Sequence, residues 1–135
     1  MRRIDVFFYG LFMDEDLLRA KGVMPMDISP AFVPGFQLCI GNRATLVPAQ
    51  SGRVFGQIAS LSHEELEQLY YEPGLQAYRP EAVLAQLLTG ENRPALCFNL
   101  LDPPSPQERN PEYAAKLRAL AQRLDFPADY VASIE

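Results

Sequence analysis

Residues 4–16 read IDVFFYGLFMDED, and this stretch decides how the chain begins to fold. Residues 4–9 are rich in β-branched and aromatic side chains, which is typical of a buried strand. The strand ends at Gly10, and Asp14 can cap a short helix whose first turn carries acidic residues that suit the helix dipole. The sequence therefore predicts a strand, a tight loop and a helix that ends near Gly22.

Strand and helix signals continue along the rest of the chain. Ser62 and Glu65 have the spacing of a capping box for a helix that Pro73 stops, and Asn110 followed by Pro111 starts a long helix near the end. Three prolines in residues 23–35 predict a long irregular connection. Further strands are predicted at residues 36–40, 44–47, 54–61, 82–88 and 95–101, although residues 82–88 also fit a helix.

The order of these elements predicts the fold class. About six short strands with interspersed helices indicate an α+β fold, and a small mixed sheet that curls into a barrel would remove its exposed edges. The length of 135 residues fits one domain, spanning residues 1–135.

Composition excludes several classes of function. Twelve basic residues against 17 acidic ones give a formal charge of −5, which argues against nucleic acid or an anionic membrane as the main partner. No apolar run reaches the roughly 18 residues of a membrane span, and no signal peptide is recognised, so a cytoplasmic location is expected. Cys39, Cys97 and His63 offer no zinc-ligand spacing, so no metal is expected and the thiols are predicted to be free and buried.

Two places in the sequence have the residue types that chemistry requires. In the loop at residues 9–12, Gly10 lets the backbone approach a ligand, and N–H groups near a helix start can hold a carboxylate; a glycine that only turns the chain gives the same pattern. Glu72 lies at a helix C-terminus beside tyrosines, where the helix dipole disfavours a second negative charge, as suits a general acid or base. A solvent-facing glutamate is the alternative. Arg43 and Arg79 fit either a ligand carboxylate or a surface ion pair.

Four segments are informative when they are taken together. They are VFFYGLFM at 6–13, RATLVP with GRVFGQI at 43–48 and 52–58, LSHEELEQLYYEPGLQAYRPEAV at 61–83, and NPEYAAKLRALAQRLDFPADYVASI at 110–134. In this order they resemble the γ-glutamylcyclotransferase-like superfamily over nearly the whole chain. The resemblance implies that family's fold and an amide-cleaving reaction without a cofactor. In that reaction the α-amine of a small γ-glutamyl amine or amino acid attacks its own γ-carbonyl and releases 5-oxoproline.

The resemblance also implies roles for particular residues. Glu72 would take a proton from the α-ammonium group and return it to the departing nitrogen. The backbone of Tyr9, Gly10, Leu11 and Phe12 would bind the polar groups of the substrate and the developing oxyanion. Tyr78 and Tyr113 match positions where the family places tyrosines around its site.

The chain departs from the family pattern at both ends of this implied site. Leu11 and Phe12 follow Tyr-Gly where the family usually has a small polar residue, and Tyr70 and Pro73 stand close to Glu72 where the family has an aspartate and a glycine. Two alternative functions remain open. One is a catalytically inactive relative that binds a small ligand or a protein in the same cavity. The other is an enzyme in which Glu72 activates water.

Overall fold

A closed β-barrel forms the centre of the structure, a computed structural model that describes residues 2–135. Its strands follow the order β1-β3-β2-β4-β5. The pairing of β1 with β5 is parallel and the other pairings are antiparallel, so the sheet is mixed and the predicted small barrel is confirmed. The five strands are β1 (Arg3–Phe8), β2 (Met26–Ile40), β3 (Ala44–Ser62), β4 (Tyr78–Leu87) and β5 (Asn92–Leu100).

Helices flank the barrel, which confirms the α+β class. They are α1 (Glu15–Ala20), α2 (His63–Tyr70), α3 (Pro111–Arg123) and α4 (Ala128–Ser133), and a 3-10 turn at Leu11–Met13 precedes α1. The predicted caps are present, because the Asp14 carboxylate accepts the Asp16 N–H and Ser62 and Glu65 complete a capping box. None of the helices in residues 2–135 combines the length and the apolar character needed to cross a bilayer.

The irregular connection predicted for residues 23–35 is wrong, since most of it belongs to β2. Pro30 and Pro34 both pair with β3. On its other side β2 pairs with β4 only at Ala31 and Phe32, so each proline lies where one edge of the strand is unpaired, a position that tolerates a missing N–H. The strands predicted at 44–47 and 54–61 are continuous in β3, so the barrel has five strands instead of six.

Two apolar layers pack on the two faces of the sheet because strand side chains alternate between inside and outside. Phe7, Val33, Ile58 and Cys97 belong to the layer inside the barrel. A second layer joins the outer face of β1 and β3 to the helices, with members such as Phe8, Leu61, Leu69 and Leu117. Both cysteines are free; Cys97 is buried as predicted, whereas Cys39 is partly exposed.

Candidate functional site

A cavity of about 190 Å³ lies at the end of the barrel where β1 stops. All six residues that the family resemblance implied as substrate-binding line it: Tyr9, Gly10, Leu11, Phe12, Tyr78 and Tyr113. Its other lining residues are Phe7, Phe8, Asn42, Arg43, Ala44, Tyr70, Leu75 and Phe98. Segments that are distant in sequence therefore meet at one end of the barrel.

The parallel pairing of β1 with β5 explains part of this convergence. Val6 lies opposite Leu96, so Phe8 and Phe98 come side by side two residues later along the two strands. The loop at residues 9–12 then crosses the barrel end, and Tyr113 reaches it from the first turn of α3. Tyr78 enters as the first residue of β4.

One side of the cavity is an aromatic wall formed by Phe8, Phe12, Tyr70 and Phe98. The rings of Tyr70 and Phe98 are stacked, with centroids 4.1 Å apart and planes at 16°. Phe12 meets Phe8 and Tyr70 edge to face, at 6.0 and 5.9 Å. Such contacts add about 0.5–1.5 kcal/mol per pair to the burial of the rings. The Phe12 departure thus supplies the ring that links the opening loop to α2.

The tyrosine hydroxyls around the cavity are uncharged. Tyr9 donates to the Phe98 carbonyl at 2.7 Å, and Tyr78 donates to the carbonyl of Ala44. Burial raises the pKa of Tyr78 to about 12 and raises the pKa of Tyr9 well above its ordinary value. Burial is also the main reason that the pKa values of Tyr70 and Tyr113 are raised. These groups therefore bring no negative charge to the cavity at neutral pH.

Gly10 is required by a close contact with Tyr113. A Cβ atom on Gly10 would lie 2.5 Å from the Tyr113 hydroxyl oxygen, although the φ of Gly10, −109°, suits any residue. A hydrogen bond from the Leu11 backbone acts against the burial that raises the Tyr113 pKa. The hydroxyl of Tyr113 therefore occupies the space over the loop where the sequence predicted close approach of a ligand.

The environment predicted for Glu72 is wrong. Its carboxylate is ion-paired with Lys21, and 48% of its side chain is exposed. Glu72 does not line the cavity, and its carboxylate accepts a hydrogen bond from Lys21 instead. Only its turn connects it to the site: the Glu72 carbonyl accepts the N–H of Leu75, a lining residue, at 3.1 Å.

Arg43 is the charged side chain that lines the cavity. Its guanidinium packs over Gly74, where a Cβ atom would lie 2.6 Å from Nη2 and where the φ of +90° also favours glycine. No carboxylate of residues 2–135 lies within 4 Å of it. Arg79, the other arginine considered in the sequence, donates to the carbonyls of Gln76 and Tyr78 and stays outside the lining.

Sequence reasoning missed two major lining residues, Tyr70 and Phe98. Tyr70 carried a usable signal, since it follows the buried Leu66 by four residues and so shares the buried face of α2. Phe98 carried none, because its place depends on the parallel pairing of two strands about 90 residues apart.

The arrangement suits binding of a small molecule by an apolar, aromatic surface with one cation at its rim. The lining has no carboxylate, serine, cysteine or histidine that would act as base or nucleophile. Within the described part of the chain, no three His, Cys, Asp or Glu side chains cluster as metal ligands would. The carboxylate expected to move a proton thus lies outside the cavity, while the residues expected to bind the substrate lie around it.

Comparisons with known proteins identify a family and a shared fold. The family model described as "Gamma-glutamyl cyclotransferase, AIG2-like" matches residues 6–116. A solved structure titled "Gamma-glutamyl cyclotransferase" has a TM-score of 0.78 at 18% identity, covering 99% of this chain and 89% of that one. An uncharacterized protein from Homo sapiens gives 0.78 at 18%, with coverage of 100% and 89%, and a protein from Arabidopsis thaliana gives 0.70 at 20%, with coverage of 94% and 96%. A search of curated proteins gives no match.

Proposed function

The chain belongs to the gamma-glutamyl cyclotransferase, AIG2-like family, and from this premise we propose that its cavity binds a small γ-glutamyl compound. The observation that carries the proposal is the convergence of all six predicted binding residues on one cavity. Its volume of about 190 Å³ lies below the range of about 300–1,000 Å³ that drug-sized ligands occupy, so an amino-acid derivative is the right scale. The free state of both cysteines supports a reducing, cytoplasmic location.

The walls favour a ligand with a polar end and an apolar end. The aromatic wall offers ring faces and edges to an alkyl or aryl group on the γ-amide nitrogen. The side chains of Leu11 and Phe12 add apolar area to a loop whose backbone N–H groups were expected to bind the substrate. We therefore propose γ-glutamyl amides with an apolar amine as the preferred class over those with a charged one.

Closing the cavity with a bulky side chain tests the binding proposal. Leu75 lines the cavity and is partly exposed, so Leu75→Trp fills space near its mouth without opening the core. Ala77→Trp, two residues away on an exposed site, is the matched control. We expect γ-glutamyl anilide to bind the wild type and Ala77→Trp equally and Leu75→Trp at least tenfold more weakly, as measured by calorimetry. Equal binding to all three proteins would place the ligand elsewhere.

A second proposal is that the bound compound is cyclised to 5-oxoproline. The α-amine and the γ-carbonyl belong to one molecule, so the protein needs only to hold them close and to move a proton. Glu72 is the proposed proton carrier, and family membership and its turn contact with Leu75 support this role. It would have to leave Lys21 and turn towards the cavity mouth.

Product analysis separates binding from catalysis. If Glu72 carries the proton, γ-glutamyl anilide yields 5-oxoproline and aniline with the wild type, and Glu72→Gln slows this at least 100-fold while binding changes less than about twofold. Binding without 5-oxoproline in either protein identifies the inactive relative. Free glutamate in place of 5-oxoproline indicates that water is the nucleophile.

A further inference from the structure

Arg43 is the feature of the cavity that the cyclotransferase reaction does not use. We propose that Arg43 binds a carboxylate of the ligand at the cavity mouth and thereby selects ligands that carry a carboxylate over those that lack one. This inference rests on the proposed function, because it assigns the polar end of the ligand bound in that same cavity.

The position of the Arg43 guanidinium is set by its neighbours. It packs against the main chain at Gly74, and a side chain at that position would push it away. It lies close enough to Tyr78 for its charge to oppose the burial that raises the Tyr78 pKa. The Arg43 side chain therefore reaches from the β2–β3 turn to the segment that follows α2, and both segments line the cavity.

The charge of the cavity favours an anion. The phenol groups of the lining stay protonated at neutral pH, and the lining contains no carboxylate. Six basic residues in the range 2–135 have a carboxylate within 4 Å, namely Arg3, Arg19, Lys21, Arg93, Lys116 and Arg123. Arg43 has none among residues 2–135, so its five N–H donors are free for a carboxylate, which they match as a fork.

The α-carboxylate of a γ-glutamyl compound is the group that fits this position. When its γ-amide substituent lies on the aromatic wall, the glutamyl end is left near the mouth, where Arg43 stands beside the exposed Asn42. The Tyr113 hydroxyl occupies the space over Gly10, and Arg43 is the charged donor of the lining that is available to the carboxylate.

Two matched probes test this assignment without interference from cyclisation. Glutaric acid monoanilide is γ-glutamyl anilide without its α-amine, so it cannot form 5-oxoproline, and its primary amide has the same shape without the charge. A hydrogen bond to a charged group predicts that the wild type binds the acid about tenfold or more tightly than the amide. Arg43→Gln should reduce this preference to below about twofold, whereas Arg79→Gln, the matched control outside the cavity, should retain it.

The outcomes distinguish this inference from the function on which it rests. Equal binding of acid and amide to the wild type, or a preference that survives Arg43→Gln, overturns the role of Arg43 and leaves the binding cavity in place. Binding of γ-glutamyl anilide but of neither probe also overturns the role of Arg43, because a carboxylate without the α-amine would then not be enough for binding. If the wild type binds none of the three compounds, the proposed function fails as well. Melting temperatures of the variants within about 2 °C of the wild type exclude misfolding as the cause.

Discussion

The two sides of the chain segment that ends α2 differ sharply, although only one residue separates Tyr70 from Glu72. On one side Tyr70 stacks on Phe98 and lines the cavity. On the other side Glu72 is half exposed and ion-paired with Lys21. The first environment is aromatic and partly buried, and the second is exposed to solvent.

The difference reflects where α2 ends. The helix stops at Tyr70, and Glu72 stands directly before Pro73, which disfavours a helical conformation at Glu72. Tyr71, the residue between them, still has helical backbone angles and is 77% exposed. Proximity in sequence to an aromatic cluster therefore does not place a carboxylate in the same cavity.

Removing the ring of Tyr70 tests the aromatic side of the segment and should have the largest effect on stability. Tyr70→Ala deletes a ring that is stacked on Phe98 and in edge contact with Phe12, so we expect the free energy of unfolding to fall by about 3 kcal/mol. Tyr71→Ala removes the same side chain from an exposed site and should change it by less than about 0.5 kcal/mol. Urea denaturation of both variants measures the contrast. Similar losses in the two variants would remove the distinction between the two sides.

The fold was largely predictable because its signals are local. The capping box at Ser62 and Glu65, the cap at Asn110 and the alternating strands each specify an element within a few residues. The course of β2 was not predictable from local signals. Whether Pro30 and Pro34 interrupt a strand depends on which edge of the strand is paired, and strand pairing is a long-range property.

The part of the candidate site that the family resemblance implied was predictable. The surroundings of a charged side chain that depend on a distant ion-pair partner were not. Tyr9, Tyr78 and Tyr113 were named in advance and line the cavity. The surroundings of Glu72 depended on Lys21, which lies 51 positions earlier and carries no sequence signal that it would be the partner. Charge pairing across such distances is fixed by tertiary packing alone.

The contact between Gly10 and Tyr113 offers an intermediate test of how tightly the cavity lining is packed. Gly10→Ala places a methyl group against the Tyr113 hydroxyl, and overpacking of this kind costs about 1–3 kcal/mol. In a Tyr113→Phe background the nearest remaining atom of that ring is Cζ at 3.8 Å, an ordinary contact. The cost of Gly10→Ala should therefore fall by about 1 kcal/mol in the double variant. Equal costs in both backgrounds would show that the loop moves instead.

Changes to the exposed Lys21–Glu72 ion pair should have the smallest effect on stability. An exposed ion pair contributes up to about 1 kcal/mol, so Lys21→Gln, Glu72→Gln and the double variant should show a coupling energy below that value, decreasing as salt is added. Denaturation at low and high salt measures it. A weak pair is also what the cyclotransferase proposal requires, because Glu72 must leave Lys21 to reach the cavity mouth. A coupling above about 2 kcal/mol would indicate a desolvated pair that holds Glu72 away from the ligand, and binding without catalysis would then be the stronger of the two proposals.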